Sequence, residues 1–192
     1  MVNNGTVTMR IAYVLYDDLT LLDFIGFYDP VSRLRSLGYL PKLQWHLCAS
    51  MATVHDGFGL RISIDRIFPD LSNYDLVYVP GGMGSRALMD DPDFLEWLKT
   101  ATDAKHLVSV CTGSLLLGAA GLLREKRATT HYSEYDRLAP YVVEVVRERI
   151  VTDGHIITGG AVATSLDLGL HLCELLAGKD AATAIRRAMN YK

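Results

Sequence analysis

A chain of 192 residues with 49% hydrophobic content is long enough for one full core and short for two, so residues 1–192 read as a single domain. A formal net charge of -3 with scattered Lys and Arg excludes a basic footprint for nucleic acid, and the runs Arg124–Arg127 and Arg147–Arg149 read as solvated turns. Three widely spaced cysteines (Cys48, Cys111, Cys173) make neither a disulfide framework nor a zinc pattern, and no stretch resembles a signal peptide or a bilayer span; a soluble cytoplasmic protein with reduced thiols is expected.

Met9 to Tyr16 is a strong strand ending at Asp17–Asp18, a pair able to cap the helix expected over Thr20–Leu37. In that helix Leu22, Phe24, Ile25, Tyr28, Val31 and Leu34 approximate a 3.6 period, and Pro30 is expected to interrupt or kink it. Asp23 lies among these apolar residues. It either meets the helix dipole or serves a site, and the pattern alone favours neither. Leu43 to Ala49 is a second strand, and Met51 to Ile64 holds two short β stretches around a glycine hairpin at His55-Asp56-Gly57-Phe58-Gly59. Asp75 to Val79 is a buried strand ending in Pro80-Gly81-Gly82, where two glycines permit unusual backbone and leave N–H groups free for a ligand.

Asp91 to Thr102 has helical spacing with Pro92 in the first turn. His106 to Val110 is β-branched enough for a buried parallel strand, and Ser114 to Leu123 suits a buried helix. Cys111 sits at the corner between them, where the first-turn N–H groups of the helix are expected to lower the thiol pKa. The corner resembles the nucleophile elbow of hydrolases, with Gly113 two residues on and Ser109 in place of the usual preceding Gly. Further along come a short strand at Arg127–His131, a short helix at Tyr132–Leu138, and β-prone residues mixed with charge at Val142–Val151. A strand at His155–Thr158 ends in Gly159-Gly160, and helices follow at Ala163–Leu176 and Asp180–Met189. This alternation predicts an open α/β sheet covered on both faces, whose ligands bind at the carboxyl ends of strands. Gly81-Gly82, Cys111-Thr112 and Gly159-Gly160 all fall there, and their convergence says more than any one motif.

The opening strand with L-L-D-F-I-G, the V-P-G-G around Pro80, S-V-C-T-G-S at the elbow, G-L-L-R-E-K-R-A-T-T-H from Gly121 and D-G-H-I-I-T-G-G from Asp153 resemble the ThiJ/PfpI superfamily in order and over nearly the whole chain. The resemblance implies a mostly parallel, flavodoxin-like sheet of the class I glutamine amidotransferase type. Within the superfamily the chain looks most like the isocyanide hydratases: the acid of the first helix is Asp23 where protease-like and glyoxalase-like branches have Glu, and Thr112 follows the cysteine where protease-like members place His. Ile25 and Phe27 around Gly26, and Ala161 after Gly159-Gly160, depart from the hydratase pattern and bear on the substrate.

That likeness implies cofactor-free hydration of an organic isocyanide to an N-substituted formamide. Cys111 would add to the electrophilic terminal carbon, and Asp23, sharing one proton with it, would serve as acid and base while the nitrogen gains its proton. The backbone N–H groups of Thr112 and Gly82 are expected to stabilise negative charge, with Gly81, Gly113, His131, Gly159 and Gly160 supporting or lining the site. For His131 a structural or pocket-lining role is favoured over catalysis. Tyr132, Phe27 and Tyr28 fit either a pocket or the core, Asp167 a cap or a buried hydrogen bond, and no histidine has metal-ligand spacing.

The expected partners are a small-molecule substrate and, by the resemblance, a second copy in a homodimer, with neither nucleic acid, membrane, metal nor cofactor. A ligand- or redox-sensing domain is the alternative; the superfamily's sensors carry DNA-binding extensions, and none follows before Lys192, which tips the expectation toward an enzyme. A glyoxalase- or amidase-like activity stands further back, because Asp23 and Thr112 argue against it.

Overall fold

Apolar, β-branched segments form the strands. In the computed structural model, which describes residues 8–192, these are β1 (Arg10–Val14), β2 (Gln44–Ala49), β3 (Thr53–His55), β4 (Arg61–Ser63), β5 (Arg66–Ile67), β6 (Leu76–Val79), β7 (His106–Val110), β8 (Arg127–Ala128), β9 (Glu144–Val145), β10 (Ile150–Asp153) and β11 (Ile156–Gly159). Residues 1–7, read above for targeting features, lie outside the described residues. The main sheet has seven strands in the order β10-β11-β7-β6-β1-β2-β5, parallel except for the β10–β11 pair. Every residue of β6 is buried, as a sheet covered on both faces requires.

The longer helices are α1 (Leu21–Ser36), α3 (Pro92–Lys99), α4 (Gly113–Ala119), α6 (Thr164–Ala177) and α7 (Lys179–Ala188), with single turns α2 (Ser85–Leu88) and α5 (Tyr135–Leu138) between them. Helices α1, α6 and α7 pack as one group, while α4 gathers α2, α3 and α5. This is the mostly parallel, flavodoxin-like architecture expected. No described helix is long and apolar enough to cross a membrane.

Two local expectations fail for identifiable reasons. Pro30 does not interrupt α1, which runs unbroken to Ser36. A proline removes one i→i−4 hydrogen bond, but this ring packs against α6 where Gly169 leaves room: a Cβ there would lie 2.5 Å from Pro30 Cγ. Gly26 does the same one turn earlier, where a Cβ would lie 2.1 Å from Ser165 Oγ. Asp17 and Asp18 do not cap α1, whose N-cap residue Thr20 makes no side-chain bond; Asp17 Oδ1 accepts the His55 N–H (2.7 Å) and ties the chain to the β3–β4 hairpin. The basic runs are exposed as expected, with Arg127 forming a surface pair with Glu144 and Arg149 one with Asp167 on α6. Asp167 also accepts from Tyr191 Oη at 3.0 Å, which explains it as structural.

The strand order reverses between β1, whose chain leads to β2, and β6 on its other side. Such a reversal opens a crevice at the carboxyl edge. The loops after β1, β6, β7 and β11, neighbours in the sheet, all end at that crevice.

Candidate active site

Cys111 is the first residue beyond β7, and its backbone is left-handed, with φ 54°. A side-chain-bearing residue there costs roughly 1–2 kcal/mol and persists only where its surroundings hold it. They do so at both ends of the residue. Its N–H faces the carbonyls of Gly159 (3.0 Å) and Gly160 (2.7 Å), and its own carbonyl accepts from Ser114 Oγ (3.1 Å) and Thr130 Oγ1 (2.9 Å). Gly113 lets α4 start hard against β6, since a Cβ there would lie 2.2 Å from the Val79 carbonyl oxygen. The elbow is therefore fastened by β6, β11 and the segment before His131.

Asp23 points into the same corner from α1 and is wholly buried. Its Oδ2 accepts the Gly81 N–H (2.9 Å), its main-chain carbonyl accepts from Tyr78 Oη (2.6 Å), and its Oδ1 has no hydrogen-bond partner. Gly81 is the spacer: a Cβ on it would lie 2.7 Å from both Cys111 Cβ and Thr112 N and 2.8 Å from Asp23 Oδ2. No other residue leaves room for acid and thiol to face each other.

Burial raises the Asp23 pKa to about 6, against the lowering influence of the Gly81 N–H and the Cys111 thiol. Cys111 moves opposite to the expectation from its helix terminus. Burial, and then the Asp23 charge, push it up to about 12, although the Thr112 N–H, the Thr112 hydroxyl and Arg86 all pull it down. Both groups are pushed toward their protonated forms by burial, and Asp23 remains the more acidic of the two.

Thr112 also revises the expected role of Gly82. The Gly82 N–H is not free for a ligand, because it donates to Thr112 Oγ1 at 3.0 Å. Ser85 Oγ joins this network, 2.8 Å from the Gly82 carbonyl and 3.0 Å from Thr112 Oγ1. Gly82 itself, at φ 147°, is required because a Cβ would lie 2.5 Å from Leu19 Cα.

Above the sulfur lies a cleft of about 310 Å³ lined by Thr20, Met83, Arg86, His131, Ser133 and Val162 together with Gly82, Cys111 and Thr112. His131 lines it as expected, with Nδ1 beside Ser133 Oγ (2.9 Å) and its ring 4.3 Å from that of Tyr132. Phe27 and Tyr28 do not: Phe27 stacks on Tyr78 in the core at 4.0 Å, and Tyr28 packs edge-on to Trp45. Cys48 and Cys173 are fully buried away from the cleft. No group of three His, Cys, Asp or Glu among the described residues is placed to hold a metal.

Thr130, Ser114, Ser85, Arg86 and Glu134 were not anticipated. Thr130 and Ser114 had a visible signal, as parts of the T-T-H and S-V-C-T-G-S runs.

Residues 9–175 match the family model described as DJ-1/PfpI family. The chain is 36% identical over 187 residues to an isonitrile hydratase of Pseudomonas putida, covering 96% of this chain and 79% of that one. It is 27% identical over 177 residues to the helix-turn-helix-type transcriptional regulator CdhR of Pseudomonas aeruginosa, covering 90% of this chain and 52% of the regulator. A crystal structure of a ThiJ/PfpI family protein from Pseudomonas syringae superposes with a TM-score of 0.88 at 30% identity, over 97% of this chain and 76% of that one. With the fold, the elbow and these likenesses in agreement, the chain belongs to the DJ-1/PfpI family.

Proposed function

We propose that this protein is a cofactor-independent isocyanide hydratase with Cys111 as nucleophile and Asp23 as acid and base. The observation that carries the reading is the buried Cys111–Asp23 pair, which faces across the Gly81 spacer and opens on a small cleft. The likeness to isonitrile hydratase supports the substrate class.

In the first step the sulfur bonds to the terminal carbon of the isocyanide while its proton passes through Asp23 Oδ1 to that same carbon, giving a thioformimidate. In the second, water bonds to the carbon and Asp23 takes one of its protons. Asp23 hands that proton to the nitrogen, then takes the remaining hydroxyl proton as the carbon–sulfur bond breaks with its electron pair returning to sulfur, and passes it to the thiolate, so that the product leaves as a neutral N-substituted formamide. The Thr112 N–H stabilises sulfur whenever it carries negative charge; an oriented donor of this kind contributes roughly 3 kcal/mol. Gly82, Gly113, Gly159 and Gly160 shape the corner, and His131 lines the approach.

Residues 1–192 form one domain in this reading, working in the cytoplasm, where Cys48, Cys111 and Cys173 remain reduced. The functional unit is a homodimer. Leu22 and Ile25 on α1, and Phe58 and Leu60 of the hairpin joined to it by the Leu19–Asp56 bridge, leave apolar surface exposed for a second copy, and light scattering measures the mass. Likeness to CdhR over most of the chain supports a second reading, in which the same cleft senses a ligand or oxidant without turnover. A steady-state assay with aromatic and alkyl isocyanides, with product mass confirmed, separates the two. Formamide production that disappears in Cys111→Ala and Asp23→Ala is expected. Turnover that survives Cys111→Ala would sink the mechanism, and a wild type inert to every isocyanide would leave the sensor, with methylglyoxal as the next electrophile.

A further inference from the structure

One peptide group joins Tyr16 to Asp23. The phenol of Tyr16, a buried residue just beyond β1, donates to the Pro80 carbonyl at 2.7 Å. The N–H on the other edge of that same peptide, from Gly81, donates to Asp23 Oδ2 at 2.9 Å. In a trans peptide the C=O and N–H point in opposite directions within one plane, so the two bonds pin this plane from both sides. Each of its two polar groups has this one hydrogen-bond partner among the described residues.

The chain is anchored on either side of this peptide, but those anchors bond to neither of its groups. Val79 pairs with Ser109 in the sheet, and the Gly81 carbonyl, which belongs to the next peptide, accepts the Thr20 N–H at 2.8 Å. With no Cβ at Gly81, the plane between them meets little side-chain resistance to turning. A donor on the Pro80 carbonyl therefore does two things. It holds the plane at the angle that aims the Gly81 N–H at Asp23, and it polarises the amide so that this N–H is the stronger donor. Both favour the ionised acid, because the bond is made to a charged oxygen. Burial, and then the Asp23 charge, hold the Tyr16 phenol well above its ordinary range, so it remains a donor wherever Asp23 titrates.

We propose that Tyr16 is a positioning residue that acts through the Pro80–Gly81 peptide to aim and strengthen the Gly81 N–H on the Asp23 carboxylate. The inference deepens the proposed hydratase reading and rests on it for its catalytic meaning, but its test needs no isocyanide. The other titratable groups that face Asp23 are Cys111 beyond β7 and Tyr78 on β6, whose Oη is committed to the Asp23 main-chain carbonyl. Helix α6, packed on α1, brings Ser165, which donates to the Leu22 carbonyl and carries no charge. Arg86, whose charge reaches Tyr16 and Cys111, is paired with Glu134 Oε1 at 2.7 Å. None of these bonds to the Pro80–Gly81 peptide.

Pro80-Gly81 is the single Pro-Gly pair in the sequence, so proline labelled with ¹³C at the carbonyl and glycine labelled with ¹⁵N mark this one peptide in an NMR spectrum. The Gly81 amide proton is followed across pH in wild type, Tyr16→Phe, Asp23→Asn and the double variant, with circular dichroism checking each fold. In the wild type it is expected to move downfield through a midpoint of about 6, and Asp23→Asn to abolish that movement. Tyr16→Phe keeps the ring that packs edge-on to Phe94 and is expected to raise the midpoint to about 7, since a carboxylate with a weakened donor binds its proton about tenfold more tightly. In the Asp23→Asn background, Tyr16→Phe is still expected to move the Gly81 proton upfield. A proton unmoved there would mean that the phenol acts on the charge directly, and an unchanged midpoint would mean that the peptide holds itself; either result overturns the proposal. If Tyr16→Phe does not fold, difluorotyrosine in place of Tyr16 makes a stronger donor and is expected to bring the midpoint below that of the wild type, and a midpoint that stays put overturns the proposal equally. A wild type inert to isocyanides beside a midpoint that follows Tyr16 would remove the hydratase reading and keep the positioning role.

Discussion

Cys111 and Cys173 form a controlled comparison inside one molecule. Both are buried, and both thiols are pushed up to about 12. Cys173, on α6, owes this to burial alone and rests its sulfur 3.4 Å from the Pro30 carbonyl, between two packed helices. Cys111 has an acid facing it, donors from Thr112 beside it, a left-handed backbone and a cleft above it. A thiol's resting pKa therefore does not separate a core cysteine from a candidate nucleophile. What separates them is whether a base is positioned to take the proton when an electrophile arrives.

Breaking the comparison at the sulfur gives the largest effect. Cys111→Ala is expected to lower kcat/KM for isocyanide hydration by at least about 10³-fold, whereas Cys173→Ala leaves it unchanged and costs about 1–2 kcal/mol of stability as a small cavity. Steady-state kinetics and urea titration read the two quantities. Because residue 111 is held at positive φ, Cys111→Gly is expected to be about 1 kcal/mol more stable than Cys111→Ala.

Asp23 supplies the next test. The proposed mechanism uses Asp23 as a carboxylate, so the wild-type kcat/KM is expected to rise with pH through about 6 and then level off, and Asp23→Asn to lose about 10²–10³-fold together with that limb. Stability runs the other way. A carboxyl whose folded pKa is raised contributes stability in full below the unfolded value near 3.8 and loses it as pH rises through about 6. Asp23→Asn is therefore expected to match the wild type below pH 4 and to exceed it by about 3 kcal/mol above pH 7, as measured by denaturant unfolding across that range. A third variant removes no titratable group. Gly81→Ala forces acid and thiol apart and is expected to slow turnover by about 10²-fold at a cost of about 1–3 kcal/mol, while alkylation of Cys48 and Cys173 stays as slow as before.

The elements and the corner bearing Cys111 were legible in the sequence because strand, turn and buried helix are each local patterns. Asp23 was legible as an acid on an apolar helix face, and Gly81 as a glycine after a buried strand, although assigning them a shared purpose needed the family resemblance. The rest depends on partners distant in the chain. Pro30 reads as a breaker until Gly169 is seen opposite it. Gly82 reads as a free donor until Thr112 arrives from β7. The thiol shift was read with the wrong sign because a helix terminus is visible in sequence and desolvation is not. Arg86 and Glu134, 48 residues apart, carry no mark of their meeting.

The fastening of Cys111 also spans the chain. Its strained backbone is secured by Thr130, Gly159 and Gly160, residues that leave the ribosome long after the cysteine itself. Of the contacts that fasten it, only the Ser114 hydroxyl is local, so the left-handed backbone of residue 111 is a property of the completed sheet and not of the elbow sequence alone.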